Sequence, residues 1–324
     1  MRVLAVVPGP EHHGVVRHGR AVAALVAARG VTVTVARTTE VPVGYHDLTH
    51  VQFTDALFGP DVAAAADAFV AWSTGAPRPL VVTVHDVPEE EGDPGRTERR
   101  RRAYRRVMAV SDAVVVSTAH EAASARLVGG PDPVVVPLPV EPMAGPGAEP
   151  TWGRRPTVGV LGFVYPGKGH AEALESVARH GGDVAVVAIG SVSSGHGLLL
   201  AELHERARRL RVDLLVTGPL ADTDLHAAAR AVTVPLAAYR TSGASASVAT
   251  WLACGRRPLV TSTPQVRELA ARWPQALTVI GGDLGDPVAA ALLDPRRTWL
   301  DGPPPHPDVA GAHLAVYRGA MAGA

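Results

Sequence analysis

The chain predicts an α/β fold of two doubly wound parallel-sheet domains joined by a linker. Three observations lead there. Short β-branched runs alternate with segments of helical periodicity through both halves, the pattern of strands and helices laid down in turn. The 324 residues exceed what one hydrophobic core ordinarily organises. Pro139 to Pro156, rich in proline and glycine and without a period, interrupts the alternation near the middle.

In the first half, Arg2 to Val7 reads as a strand and Pro8 to Gly14 as a loop. Val15 to Arg29 follows as a helix with Val22, Leu25 and Val26 facing inward. Gly30 caps it, and Val31 to Val35 is the next strand. Asp47 to Val51 is a short strand, Pro60 to Trp72 a helix, and Pro79 to Val84 a strand running into His85-Asp86. Ligands of doubly wound sheets bind beyond the carboxyl ends of strands, so this polar pair is placed to meet one. Arg96 to Val107 is a basic helix carrying Arg99, Arg100, Arg101, Arg102, Arg105 and Arg106. Two readings stay open for it: a solvated helix face, or a peripheral contact with anionic lipid heads or a phosphorylated acceptor. Ala113 to Ser117 is a strand, His120 to Leu127 a helix, and Pro133 to Leu138 a last strand before the linker.

The second half repeats the alternation. Thr157 to Leu161 is a strand, Gly162 to Gly169 a tight connection enclosing Lys168, and His170 to Arg179 a helix with Ala171, Leu174 and Ala178 inward. A lysine beside free backbone N–H groups at a helix start suits a phosphate; a surface turn with a solvated lysine is the competing reading. Strand Val184 to Ile189, helix Leu198 to Leu210, strand Asp213 to Thr217, a turn through Gly218 to Asp224, helix Leu225 to Ala231 and strand Val232 to Leu236 follow. Ser242, Gly243, Ala244, Ser245 and Ser247 precede or open helix Val248 to Cys254. They bring backbone N–H groups and hydroxyls towards a diphosphate, or simply begin an alanine-rich helix. Gly255 to Thr261 reads as a C-cap and short strand.

Hydrophobic residues form 47% of the chain, and no uncharged apolar run is long enough to cross a bilayer. Lys+Arg and Asp+Glu both number 31, so no general electrostatic attraction to nucleic acid is expected. The apolar start, Met1 to Pro8, is too short for a signal peptide, and the expected location is the cytoplasm. Cys254 is the only cysteine, which excludes an internal disulfide and a multi-cysteine zinc site; it reads as a small buried helix residue. His12, His13 and His18 suggest a metal site only weakly, since no carboxylate is placed with them, and no metal is expected. Pro303 to Pro307 is a stiff connection.

Gly14 in the first βα loop, His85-Asp86, Gly162 through Lys168-Gly169, and Ala253-Cys-Gly-Arg-Arg-Pro-Leu-Val260 stand in an order that resembles retaining GT-B glycosyltransferases of family 4 (group 1). The resemblance covers nearly the whole chain, and His313 to Arg318 is similar to that family's last helix, which returns to the N-terminal domain. It implies two Rossmann-like domains facing across a cleft. Residues 1–142 would bind the acceptor, with a helix at about 308–324 packed back on them. Residues 143–156 would link, and 157–307 would bind a nucleotide sugar.

The resemblance also implies roles. Gly14, Lys168, Gly169, Ser242, Gly243, Ala244 and Ser245 would hold the donor diphosphate. Thr217, Gly218, Pro219, Leu220 and Thr250 would border the base and ribose. His85 and Lys168 would be catalytic, and Arg17, His85 and Asp86 would face the acceptor. No metal and no cofactor beyond the nucleoside-diphosphate sugar is implied; the partners are that donor and a small-molecule or lipid-linked acceptor. Two departures mark the donor site. The family's paired glutamates are replaced by Ser242 and Thr250, and Phe163 stands where an arginine is usual, which predicts weaker or altered nucleotide binding. Alternatives are a GT-B nucleotide-sugar epimerase, for which Asp86 is the only good carboxylate, and a catalytically degenerate nucleotide-sugar-binding or scaffold protein.

Overall fold

The computed structural model describes residues 1–324 apart from positions 12, 41–43, 90–92, 142, 144, 194, 240–244 and 324. The chain divides into two compact units, Met1–Pro139 with Pro307–Ala324, and Val140–His306.

In the first unit the order is β1 (Arg2–Val6), α1 (Gly14–Ala27), β2 (Thr32–Ala36), β3 (Leu48–Phe53), α2 (Asp55–Phe58), α3 (Val62–Ser73), β4 (Leu80–Val84), α4 (Pro94–Ala109), β5 (Ala113–Val116), α5 (Ala119–Val128) and β6 (Val134–Val135). Every pairing is parallel, in the order β2-β1-β3-β4-β5-β6. Helices begin where a side chain accepts a first-turn N–H: Asp61 for α3, Asp93 for α4, Thr118 for α5. Two strands depart from expectation. Pro133 and Pro137 lack the N–H a ladder needs, so β6 shrinks to two residues. β3 runs on through Gln52 and Phe53 because the polar Gln52 is buried, a placement its polarity argues against.

The second unit has β7 (Thr157–Leu161), α6 (His170–His180), β8 (Ala185–Ile189), α7 (Gly197–Leu210), β9 (Asp213–Val216), α8 (Asp222–Ala231), β10 (Val234–Ala237), α9 (Ala246–Ala253), β11 (Leu259–Thr261), α10 (Pro264–Arg272), β12 (Thr278–Ile280) and α11 (Gly285–Leu293), with sheet order β12-β11-β10-β7-β8-β9. The linker is not wholly irregular: Thr151–Arg154 forms a 3₁₀ turn. α12 (Val309–Gly323) belongs to the first unit, where its Leu314, Val316 and Tyr317 join Val3, Leu48 and Val81 in one apolar cluster. In each sheet the order of strand addition reverses beside the first strand, between β1 and β3 and between β7 and β10, the point at whose carboxyl ends doubly wound sheets leave a crevice.

The arginines of α4 are partly engaged at home. Arg106 pairs with Asp67 at 2.7 Å, Arg105 donates to the Val128 carbonyl at 2.6 Å, and Arg100 donates to the Asp86 carbonyl at 2.9 Å. Among the described residues no helix is long and apolar enough to cross a membrane.

Arg256 is the largest polar group in the second core. Its fully buried guanidinium donates to the carbonyls of Ala229, Arg230, Val232, Thr233 and Thr298 and to the Thr298 hydroxyl, and lies 4.1 Å from the Trp299 ring centre. It joins the end of α8 to the 3₁₀ turn Pro295–Thr298 through a planar fork that lysine lacks. Arg256→Lys leaves several buried carbonyls unpaired, each costing about 1–3 kcal/mol. A loss of about 2–5 kcal/mol is expected, read as a lower urea midpoint at unchanged slope for the transition of this unit. A midpoint equal to wild type would show the fork to be dispensable.

Candidate active site

β7 ends at Leu161 because Gly162 turns the chain at φ 110°. The next residues run beside the end of β8, with Gly162 N donating to Ile189 O and Val164 N to Ser191 O, both at 2.9 Å. Gly169, at φ 100°, is the N-cap of α6, and a Cβ there would stand 2.9 Å from the Ala238 carbonyl. That close approach sets the start of α6 against the end of β10 and turns Lys168 inward. Lys168 is only 6% exposed; its ammonium donates to Ser247 Oγ at 2.9 Å and lies 4.5 Å from the Tyr239 ring centre and 5.6 Å from that of Tyr165. Tyr239 is held in turn by a hydrogen bond between its hydroxyl and Ser245 Oγ, and Ser245 caps α9 by accepting from Val248 N.

Among the described residues no carboxylate pairs with Lys168. Burial pushes its pKa down to about 8, so the ammonium is still mostly charged at neutral pH without a counter-ion. His170 is buried beside it with neither ring nitrogen partnered among the described residues. Its pKa is lowered to about 4, first by burial and then by Lys168, so it adds no second charge. A buried cation, a hydroxyl and the free N–H groups of a helix start form a receptor for an anion. Lys168 and Gly169 stand, as the sequence puts them, between β7 and the start of α6. Ser242, Gly243 and Ala244 lie outside the described residues. Ser247 was legible as a hydroxyl near the diphosphate or as part of a helix start, and Tyr239 only as a residue beyond the end of a strand; neither was legible as a partner of the lysine.

Nearby, Gly190 N donates to Thr217 Oγ1 at 3.0 Å, and that hydroxyl donates to Gly218 O, tying the loops after β8 and β9 together. Thr217 and Leu220 line a cavity of about 370 Å³ with Trp152, Leu215 and Ala228. The Thr250 hydroxyl is turned into its own helix, donating to Ala246 O at 2.9 Å. Pro219 lies in the same turn as Gly218.

In the first unit Gly14 opens α1, capped by His13, whose Nδ1 accepts from Val15 N at 3.3 Å. Arg17 is on the exposed face of that helix. His85 follows β4 directly, its N–H on Phe53 O at 2.8 Å and its Nε2 on Gln52 Oε1 at 2.9 Å. Burial lowers its pKa to about 4, with His13 adding and Asp86 opposing. The imidazole is neutral at pH 7 and exchanges hydrogen bonds rather than charge. Asp86 sits at φ 54°, a conformation that costs a non-glycine residue about 1 kcal/mol, held by the Thr54 hydroxyl on its carboxylate at 3.0 Å and by Arg100 on its carbonyl. A cavity of about 340 Å³ opens at the ends of β1 and β2, lined among others by Pro8, Thr38, Phe58 and Trp72.

Two Rossmann-like units with these loops have solved counterparts. Anabaena HepE in complex with UDP-glucose is similar over 99% of this chain and 95% of that one, with TM-score 0.70 and 15% identity. Sucrose-phosphate synthase from Thermosynechococcus elongatus is similar over the same shares, with TM-score 0.69 and 12% identity. AviGT4, a glycosyltransferase involved in avilamycin A biosynthesis, is similar over 100% and 98%, with TM-score 0.60 and 16% identity. The fold is GT-B. Neither a protein-family model nor a curated protein matches the sequence.

A lysine whose pKa falls from 10.5 to about 8 on folding penalises the native state wherever the unfolded chain holds the proton more tightly. Below pH 8 the penalty is on the order of 3 kcal/mol, and it fades as pH rises from 8 to 10.5. Lys168→Met is therefore expected to stabilise the free protein by about 1–3 kcal/mol at pH 7, read from denaturant midpoints, while removing affinity for pyrophosphate. In wild type that affinity declines as pH rises through about 8, as measured by calorimetry. Unchanged pyrophosphate binding in the variant would remove the anion assignment.

Proposed function

We propose that this protein is a metal-independent retaining glycosyltransferase that moves a sugar from a nucleoside diphosphate to the hydroxyl of a small-molecule or lipid-linked acceptor. The observation that carries the reading is Lys168, a buried ammonium without a carboxylate at the start of a helix, on a fold shared with proteins solved with UDP and UDP-glucose. Lys168, Gly169 and the first turn of α6 bind the donor diphosphate and offset the charge that builds on it as the glycosidic bond breaks. Gly14 and Ser242 to Ser245 keep, in this reading, the diphosphate role that the family resemblance implies for them. Thr217 to Leu220 and the cavity beside them take the base, while Thr250 supplies no carboxylate to the ribose. His85 contacts a hydroxyl of the transferred sugar. Arg17, Asp86 and the cavity bordered by Phe58 and Trp72 face the acceptor, whose ring would lie on the aromatic wall. The protein acts in the cytoplasm in this reading.

The missing glutamates favour one other outcome, a protein that binds a nucleotide sugar without turning it over. Incubation with UDP-, GDP- and dTDP-sugars separates the two, with the anomeric proton followed by NMR. Release of nucleoside diphosphate with retained configuration is the expected result; binding without release supports the second reading, and inversion at C2 an epimerase. Lys168→Ala is expected to weaken nucleoside-diphosphate binding about 10²-fold or more, as truncating a buried charged contact does. His85→Ala is expected to lower turnover by about 10- to 100-fold with little change in nucleotide affinity. Equal losses in both quantities would deny His85 its role at the sugar.

A further inference from the structure

The face of the first sheet under α1 and α12 carries, beside its apolar cluster, a polar patch where a parallel sheet is ordinarily apolar. Alternation along β3 puts Leu48, His50 and Gln52 on this face, and along β4 it puts Val81 and Thr83 there, with His85 next in step. The register sets Gln52 opposite Thr83 and His50 opposite Val81. A continuous chain of hydrogen bonds results. His85 Nε2 meets Gln52 Oε1 at 2.9 Å, Gln52 Nε2 meets His50 Nε2 at 3.3 Å, and His50 Nδ1 meets the Tyr317 hydroxyl of α12 at 2.7 Å. The Thr83 hydroxyl also meets His50 Nε2, at 2.7 Å.

The chemistry of each partner gives this chain a direction. An amide oxygen only accepts, so His85 Nε2 carries a hydrogen. An amide nitrogen only donates, so His50 Nε2 is a lone pair that receives Gln52 and the Thr83 hydroxyl. The His50 proton is then on Nδ1 and is donated to the Tyr317 oxygen. Both rings are neutral, so His85 has one proton, already placed, and its Nδ1 is a lone pair. Among the described residues nothing donates to that Nδ1. A Cβ at Gly19 would stand 2.6 Å from Gln52 Cγ, so α1 packs directly over this side chain.

We infer that Gln52 is a positioning residue for His85, fixing its imidazole as the Nε2–H tautomer so that Nδ1 accepts a hydrogen bond from a substrate hydroxyl, while the same amide holds His50 as the Nδ1–H tautomer that donates to Tyr317. The inference rests on the proposed contact of His85 with the transferred sugar. A hydroxyl that donates to Nδ1 turns its own lone pairs elsewhere, and bonds aligned in one direction polarise one another, which strengthens Nδ1 as an acceptor. The groups facing this network are His13 and His18 from α1, Asp86 beside His85, and His313 from α12. The His18 ring stands edge-on to His85 at 5.2 Å, and His313 Nδ1 donates to Val309 O.

The test uses the substrate-free protein with ¹⁵N-labelled histidine, so it does not depend on turnover. Long-range ¹H–¹⁵N spectra at pH 7, assigned with His85→Gln, are expected to show His85 protonated at Nε2 and bare at Nδ1. A proton on Nδ1 overturns the proposal. In Gln52→Glu the carboxylate still accepts from Nε2–H but now stabilises the imidazolium, and the His85 titration is expected to rise by at least about one pH unit. An unmoved titration overturns the proposal. Turnover with whichever sugar nucleotide proves active distinguishes positioning from packing. Gln52→Leu is expected to lower kcat about tenfold or more at every pH with KM within about threefold. Gln52→Glu is expected to fall at acid pH and recover at alkaline pH, where Nδ1 is again a lone pair. Equal, pH-independent losses in both variants would make Gln52 a packing residue. Absence of turnover in wild type would sink the transferase reading and leave the spectra to decide the tautomer.

Discussion

One buried charge, with no carboxylate on it among the described residues, shapes the second unit. Lys168 is driven into the protein by a glycine turn, and what meets it there is a hydroxyl and two aromatic faces. A carboxylate in the same place would hold the ammonium better and would also fill the position an anionic ligand needs. Leaving it out costs folding free energy and keeps the charge available. The surrounding geometry follows from that choice. Gly162 has no side chain because a Cβ would stand 3.3 Å from the lysine's own terminal atoms, and Ser247 opens α9 with its oxygen aimed at the ammonium.

The first unit treats buried polarity in the opposite way. Burial holds His50 and His85 neutral, and both are hydrogen-bonded to Gln52, with Thr83 and Tyr317 also on His50. The second unit thus keeps a charge with no carboxylate on it among the described residues, and the first keeps a hydrogen-bonded pair of imidazoles without a charge. Electrostatic stabilisation of a leaving group needs the former; orienting a hydroxyl needs the latter.

Strand and helix alternation was legible because parallel strands bury both faces and read as Val-rich runs, as in Thr157 to Leu161 and Leu80 to Val84. Lys168 stood out because glycines enclose it. Its contacts did not, since Tyr239 reaches it from beyond β10 and Ser247 from the start of α9, and no spacing relates either to it. The polar face of the first sheet was hidden differently. The expected strand stopped at Val51, before the polar Gln52, although a polar residue at every second position, His50 and then Gln52, is itself the sign of a network on one face. Tyr317 lies 267 positions from the histidine it meets, beyond the reach of any local pattern.

That separation has a consequence for how the chain is made. The first unit takes its closing helix from residues 309–323, so its sheet is complete long before the element that covers His50 exists. During synthesis the intervening unit must emerge before Tyr317 can reach the histidine, and until then the part of the face that α12 covers, with His50, Leu48 and Val81, has only α1 over it. The N-terminal unit is therefore the first begun and the last finished, and a chain cut short before α12 would keep the second unit whole while the first lacked half of its cover.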